Sequence, residues 1–199
     1  MSGNLLEVAI PSTVFAAEAS IRALFHLAIS GGGGLLCHGA GICFDGFAAV
    51  ALGPSGAGKS TLARLSRESG ATLLSDEIVG LDPEGAAYGT PFCSDLDLGS
   101  DVLSSPLGSL LFLKKGGTES VEKLSPATAL KLLLRQTHRP LLAENRSSLL
   151  LQRALVLVQR VGAWELTFRK DPAVGPFLRR WMNHQRAQPK SFSSLRVFQ

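Results

Sequence analysis

Phe47-Ala48-Ala49-Val50-Ala51-Leu52 runs without a break into Gly53-Pro54-Ser55-Gly56-Ala57-Gly58-Lys59-Ser60-Thr61. The first six residues form a short continuous apolar run, the pattern of a strand buried on both faces. The stretch from Gly53 to Ser60 fits G-x-x-x-x-G-K-[ST] in full. A helix is predicted from about Lys59 to Ser69, with Gly70 as its C-cap. Strand, glycine loop and helix in that order are the context that separates a phosphate-binding loop from a chance match. Glycines allow left-handed backbone and close approach to an anion. Successive N–H groups and the start of a helix add positive potential there. Lys59 supplies a mobile cation for β- and γ-phosphates, and the Ser60 hydroxyl is placed to ligate Mg²⁺. The candidate nucleotide-binding residues are therefore Gly53, Ser55, Gly56, Ala57, Gly58, Lys59, Ser60 and Thr61. A dinucleotide fingerprint is excluded, because Lys59 sits where that loop needs a small residue.

Upstream, residues 14–29 carry Phe15, Ile21, Leu24, Phe25 and Ala28 at helical spacing. Gly31-Gly32-Gly33-Gly34 reads as a helix stop and turn, since no Lys or Ser/Thr follows at the place a phosphate loop needs. LLCHGAGICF and FAAVAL flank Asp45-Gly46, a hairpin dipeptide. Downstream, 71–81 is predicted as one buried strand, Asp82-Pro83-Glu84-Gly85 as a turn and AAYGT as a short returning strand. Residues 89–108 read as loop, 109–115 and SVEKL as strands, and 126–136 as a helix capped by Ser125 with Pro126 at its first position. A helix over 144–160, a strand over 162–168 and a last helix from Asp171-Pro172 to Trp181 complete the reading. One domain over 1–182 is expected, followed by a basic tail over 183–199 that should fray.

Asp76-Glu77 interrupts the apolar run 71–81. Adjacent buried carboxylates are costly without cationic partners, and a Mg²⁺ held by phosphates and Ser60 is such a partner. Asp76 is expected beside the strand that feeds the glycine loop. Neighbours on a strand point to opposite faces, so the two acids should do different work, one on the metal and one as base. His38 lies on an apolar strand, where a satisfied core role competes with a functional one. His26, His138 and His184 show no constellation and read as structural or surface residues.

The 199 residues are 45% hydrophobic and 18% charged, which is a globular rather than a disordered composition. A net charge of +4 is a mild excess, compatible with phosphate-bearing ligands. Aromatics are 7% and the basic residues toward the C-terminus (Arg179, Arg180, Arg186, Lys190, Arg196) are sparse, so no nucleic-acid partner is expected. Cys37, Cys43 and Cys93 are an odd number without CxxC or zinc spacing, which points to a reducing compartment. The N-terminus lacks signal-peptide features, and no apolar run approaches the roughly 18 residues of a membrane span. A cytoplasmic protein with no membrane partner is expected.

The order His38-Gly39, apolar strand, GPSGAGKST, short helix and LLSDE, with Asp76 only 17 residues after Lys59, resembles the HPr kinase/phosphorylase family and its shorter relatives, including the lasso-peptide kinases. Gly89-Thr90-Pro91-Phe92 is similar to a GTPW-type segment of the shorter relatives, and 109–134 and 161–168 to their later strands and helix. The resemblance implies an α/β fold, a single P-loop domain of the HPr kinase C-terminal or phosphoenolpyruvate carboxykinase-like type with a mixed sheet and flanking helices. It implies transfer of the γ-phosphoryl of ATP, with Mg²⁺, to a serine hydroxyl. Carried over by position, Asp76 is the base, His38 its partner and Glu77 a metal ligand with Ser60. Generic P-loop chemistry reverses the acids, placing Asp76 on the metal and Glu77 as base. Glu77 departs from the family's usual second Asp, and neither an Arg-Pro-Gly-Arg type substrate loop nor the family's separate N-terminal domain is expected from these residues. That argues against HPr as substrate and favours a peptide, small-protein or small-molecule acceptor. Arg135, Arg139 and Arg146 are candidate charge stabilisers.

Other function classes remain in view. A non-catalytic or regulatory nucleotide-binding module is the main alternative, and a P-loop kinase of a small-molecule alcohol is another. An ABC- or AAA-type ATPase is disfavoured, since there is no LSGGQ-like segment and no late acidic strand. The apolar stretches 14–29 and 144–160 suit either core or a contact between copies, so a homo-oligomer is compatible with the sequence.

Overall fold

The hairpin around Asp45-Gly46 is the seed of the sheet. In the computed structural model, which describes residues 14–94, 96–138 and 147–187, Asp45 has φ 51° and Gly46 φ 81°. Two successive left-handed residues make the primed turn whose twist matches its flanking strands. β1 (Leu35–Phe44) thus pairs antiparallel with β2 (Phe47–Leu52), in register from Phe44 opposite Phe47 to Gly39 opposite Leu52. Residues 48–52 of β2 are wholly buried, as the apolar run predicts.

The other elements follow in chain order: α1 (Val14–Gly31) before the hairpin, then α2 (Lys59–Glu68), β3 (Thr72–Ser75), β4 (Ile78–Leu81) and β5 (Ala86–Tyr88). β6 (Ser104–Lys115), β7 (Ser120–Lys123), α3 (Pro126–Gln136), α4 (Ser147–Val161), β8 (Ala163–Phe168) and α5 (Val174–Ala187) complete them. This is a mixed α/β fold with eight strands and five helices among the described residues. β2 pairs with β1 on one side and parallel to β6 on the other, and β6 pairs parallel to β8, which β7 borders antiparallel. β1 and β6 are long because each serves two neighbourhoods. The first residues of β1 pair with β4 and those of β6 with β5, while β4 and β5 pair with each other.

Alternation along β2 divides the core. Val50 and Leu52 join Leu110, Leu133, Leu157 and Val161 under α3 and α4. Ala49 and Ala51 join Ile42, Leu62, Leu65, Leu111 and Leu178 under α2 and α5. Helices therefore cover both faces of the strand that leads to the glycine loop, as a near-continuous apolar strand requires. α1 covers a third, smaller cluster of Leu36, Ile78 and Phe92 with its Phe25 and Ile29. That contact stripe is narrower than the sequence suggests: Ile21 is 41% exposed, and the side chain of Phe15 lies outside the described set.

Four expectations are corrected. The run 71–81 is two strands, not one, because the Ser75 hydroxyl accepts from the N–H groups of Glu77 and Ile78 and turns the chain there. Asp76 follows β3, which pairs with β1, so β1 lies between it and β2. β6 starts at Ser104, within the stretch read as loop, because residues 104–106 find β5 as a partner. α5 continues to Ala187, past the predicted end at Trp181. Arg179 and Asn183 donate to the Asp45 carboxylate, and Arg186 to its carbonyl, which fastens those turns to the hairpin. The rest of the predicted tail, 188–199, lies outside the described residues, as do Arg139 and Arg146.

Candidate functional site

The glycine loop leaves the end of β2 and turns into α2. Its Ala57 N–H donates to the Pro54 carbonyl at 3.1 Å. Gly56 has φ 75° and Gly58 φ 105°, so both require the left-handed region. A Cβ on Gly58 would also stand 2.9 Å from Cζ of Phe168. Gly58 is the N-cap of α2 and has no side chain to offer, so the first-turn N–H groups of Lys59, Ser60 and Thr61 lack an intrahelical partner. That end of the helix favours an anion.

Lys59 is the buried cation of this loop, 6% exposed. Its Nζ donates to the carbonyls of Gly53 at 2.8 Å and Pro54 at 3.0 Å. The ammonium is thus folded back over the loop, with neutral oxygens as its hydrogen-bond partners. Burial pushes Lys59 below its ordinary pKa, and the charge of Glu77 partly offsets this. Ser55 and Gly56 form the exposed tip, while Ala57 is buried and Ser60 and Thr61 are half-buried at the start of α2.

The two acids part at the break between β3 and β4. Asp76 is 1% exposed. Its Oδ1 accepts from the Ser94 N–H at 3.1 Å, and its Oδ2 accepts from the Ser94 hydroxyl. Among the described residues it has no hydrogen bond to His38 or Lys59. Glu77 turns the other way. Its carbonyl accepts from the Gly39 N–H at 3.0 Å, and its carboxylate lies 3.8 Å from the Arg22 guanidinium on α1.

His38 is on β1 opposite Ile78. It shares a strand face with Leu36, the face on which α1 lays Phe25 and Ile29. The β1–β2 register ends at Gly39 opposite Leu52, one residue short of Gly53, so His38 stands next to the start of the loop. Burial lowers its pKa first, the Lys59 charge lowers it further, a hydrogen bond to the Glu77 backbone raises it and Arg22 lowers it again. The structure therefore brings His38, Lys59 and Glu77 into one neighbourhood and holds Asp76 against Ser94.

Several neighbours escape the sequence reading. Arg22 stacks over the Phe92 ring at 4.5 Å and also bonds Glu18. Its only sequence signal is a charge in register with Phe25 and Ile29 on α1. His138 donates its N–H to the Leu36 carbonyl at 2.8 Å, beside the bridge of Thr137 to Cys37. Burial lowers its pKa, and the charges of His38, His26 and Arg22 add to this. Ser94 sits in a loop stretch with no motif of its own. Arg135 is exposed on α3, and α3 packs under the face opposite α2.

All three cysteines are free, and burial pushes the Cys37 thiol up to about 12. No group of three or more His, Cys, Asp or Glu side chains among the described residues is arranged to hold a metal by itself. Mg²⁺ commonly takes one or two protein ligands and completes its shell with phosphate oxygens and water. A hydroxyl on the first turn of α2 and one nearby carboxylate suit that demand, and the orphaned helix N–H groups and glycine bends suit the phosphates. No described helix is long and apolar enough to cross a membrane.

No known family and no curated protein matches the sequence. Among solved structures, the HPr(Ser) kinase/phosphatase from Coxiella burnetii is similar with a TM-score of 0.40 and 11% identity, over 76% of this chain and 95% of that one. A likeness of that size transfers no residue's role.

Proposed function

We propose that this protein is an ATP- and Mg²⁺-dependent kinase that moves the γ-phosphoryl group to a hydroxyl, with a serine of a peptide or small protein as the favoured acceptor. One observation carries the reading: a buried lysine folded over a glycine loop at an uncapped helix start, with a carboxylate and an imidazole beside it. Such a cradle suits an anion, and a lysine with a following Ser/Thr suits the β- and γ-phosphates of a nucleotide. Bound Mg²⁺ would neutralise charge developing on the phosphate oxygens. Ser60 and Glu77 would hold it, and Gly53 to Thr61 would bind the nucleotide. Lys59 exchanges its two carbonyl partners for phosphate oxygens. Asp76 takes the acceptor proton once Ser94 is displaced, and His38 acts as its partner from β1.

A second assignment has its own support. The Asp76 oxygens are already engaged by Ser94, whereas Glu77 shares the surroundings of Lys59 and His38. In that assignment Glu77 is the base and Asp76 anchors the 90–94 segment.

The test is transfer from γ-labelled ATP with Mg²⁺ to a pool of candidate peptides and small proteins. The expected product is an acid-stable serine phosphoester that is lost in Asp76→Asn. Tight nucleotide binding with no transfer to any acceptor would contradict a kinase and make the chain a regulatory nucleotide-binding module.

A further inference from the structure

Residues 90–94 are pinned across the β3–β4 break. The Thr90 hydroxyl donates to the Ile78 carbonyl at 2.7 Å, and the Ser75 hydroxyl donates to the Phe92 carbonyl at 3.1 Å. Ser94 closes the segment with two donors, its N–H and its hydroxyl, on the two oxygens of Asp76. Asp76 is buried while Ser94, which holds both of its oxygens, remains partly exposed. A kinase base must receive a proton from a hydroxyl in hydrogen-bond reach. At Asp76 that place is taken by a serine of the same chain. The paired N–H contact fixes the side-chain orientation, so little entropy remains to be lost in aligning it.

We propose that Ser94 is the protein's own phosphoryl acceptor, an internal phosphorylation site held at Asp76 where an external hydroxyl would bind. This rests on the reading of the site as an ATP-dependent kinase with Asp76 as base. The Ser94 Oγ–H proton passes to Asp76 Oδ2 as Oγ bonds to the γ-phosphorus of ATP. The bond from that phosphorus to the β,γ-bridging oxygen breaks, its electron pair leaves on ADP, and the proton is released from Asp76 to solvent. The phosphoserine carries nearly two negative charges against the Asp76 carboxylate, and like charges at that distance repel. Modification therefore releases residues 90–94 and opens Asp76 to an external hydroxyl.

The experiment incubates the full chain with Mg²⁺ and γ-labelled ATP and no added acceptor, and maps phosphate by tandem mass spectrometry. Binding of ATP is measured in parallel by titration calorimetry. The expected result is one phosphate on Ser94, formed at a rate constant independent of protein concentration. It is lost in Ser94→Ala and Lys59→Ala and retained in Ser94→Thr. ATP binding or transfer to an external peptide with Ser94 unmodified would overturn this proposal and leave the kinase reading standing. Label that persists in Ser94→Ala, or a rate constant proportional to protein concentration, would also overturn it. Absence of ATP binding would overturn both.

Discussion

Asp76 and Glu77 are chain neighbours in different surroundings, and their separation decides the chemistry. Asp76 is enclosed with Ser94; Glu77 faces Arg22 and influences Lys59. If Asp76 is the base, Asp76→Asn keeps nucleotide affinity and lowers transfer by roughly 100- to 10,000-fold, the usual worth of a positioned base. Glu77→Gln then raises the Mg²⁺ concentration needed for half-maximal rate. Steady-state rates over a Mg²⁺ titration check both, and the opposite pattern assigns the base to Glu77. The loop was legible at this scale because Gly53, Gly58, Lys59 and Ser60 fall within eight residues of one another and each has a local reason to be there. Ser94, Arg22 and His138 were not, because their partners are brought by pairing and helix docking rather than by spacing. The Ser94 contact spans 18 residues with no periodicity to signal it.

The hairpin, α2 and α3 were legible as elements, since each carries its own punctuation. The end of α2 shows why: the Gly70 N–H donates to the Arg67 carbonyl and that of Ala71 to Ser66, with Gly70 at φ 91°. That is a Schellman closure, which demands glycine where the sequence has one. The break of 71–81 was not legible, because Ser75 takes over backbone donors that an apolar run would commit to a strand. Two stability predictions belong here. Gly58→Ala forces a left-handed alanine against Phe168 and should cost about 1–3 kcal/mol. Urea unfolding with an unchanged m-value checks it, and a loss under about 0.5 kcal/mol contradicts it. Ser125 accepts from the Thr128 N–H at 3.2 Å and caps α3, so Ser125→Ala should cost about 1 kcal/mol. α3 lies under the sheet face away from α2, so nucleotide affinity should not change with that cap.

The whole molecule links its α1 edge to pH. His26, His38 and His138 are all held below the ordinary value of 6.5, with burial the first cause in each. Their folded-state pKa values are depressed, so the unfolded chain takes up protons first as pH falls. Stability from these groups is complete above about 6.5 and declines below it. The thermal midpoint should therefore fall between about pH 7.5 and 5.5, and His138→Gln should flatten the slope; a midpoint that is constant or rises toward acid contradicts this. At this scale the α/β class came as an implication of the family resemblance that the His38-to-Glu77 stretch carries. Strand order was not: the placement of β1 between β2 and β3, and the double service of β1 and β6, depend on pairings that no local pattern encodes.

Titration calorimetry of Mg²⁺-ATP into the wild-type chain and Lys59→Ala is the decisive experiment, because everything proposed for Asp76, Glu77 and Ser94 presupposes phosphates over the glycine loop. Saturable binding to the wild type is predicted. Loss of a charge-assisted contact worth about 2–3 kcal/mol should weaken it roughly 30- to 150-fold in the variant. Equal affinity in the two proteins, or no binding to the wild type, would contradict the account.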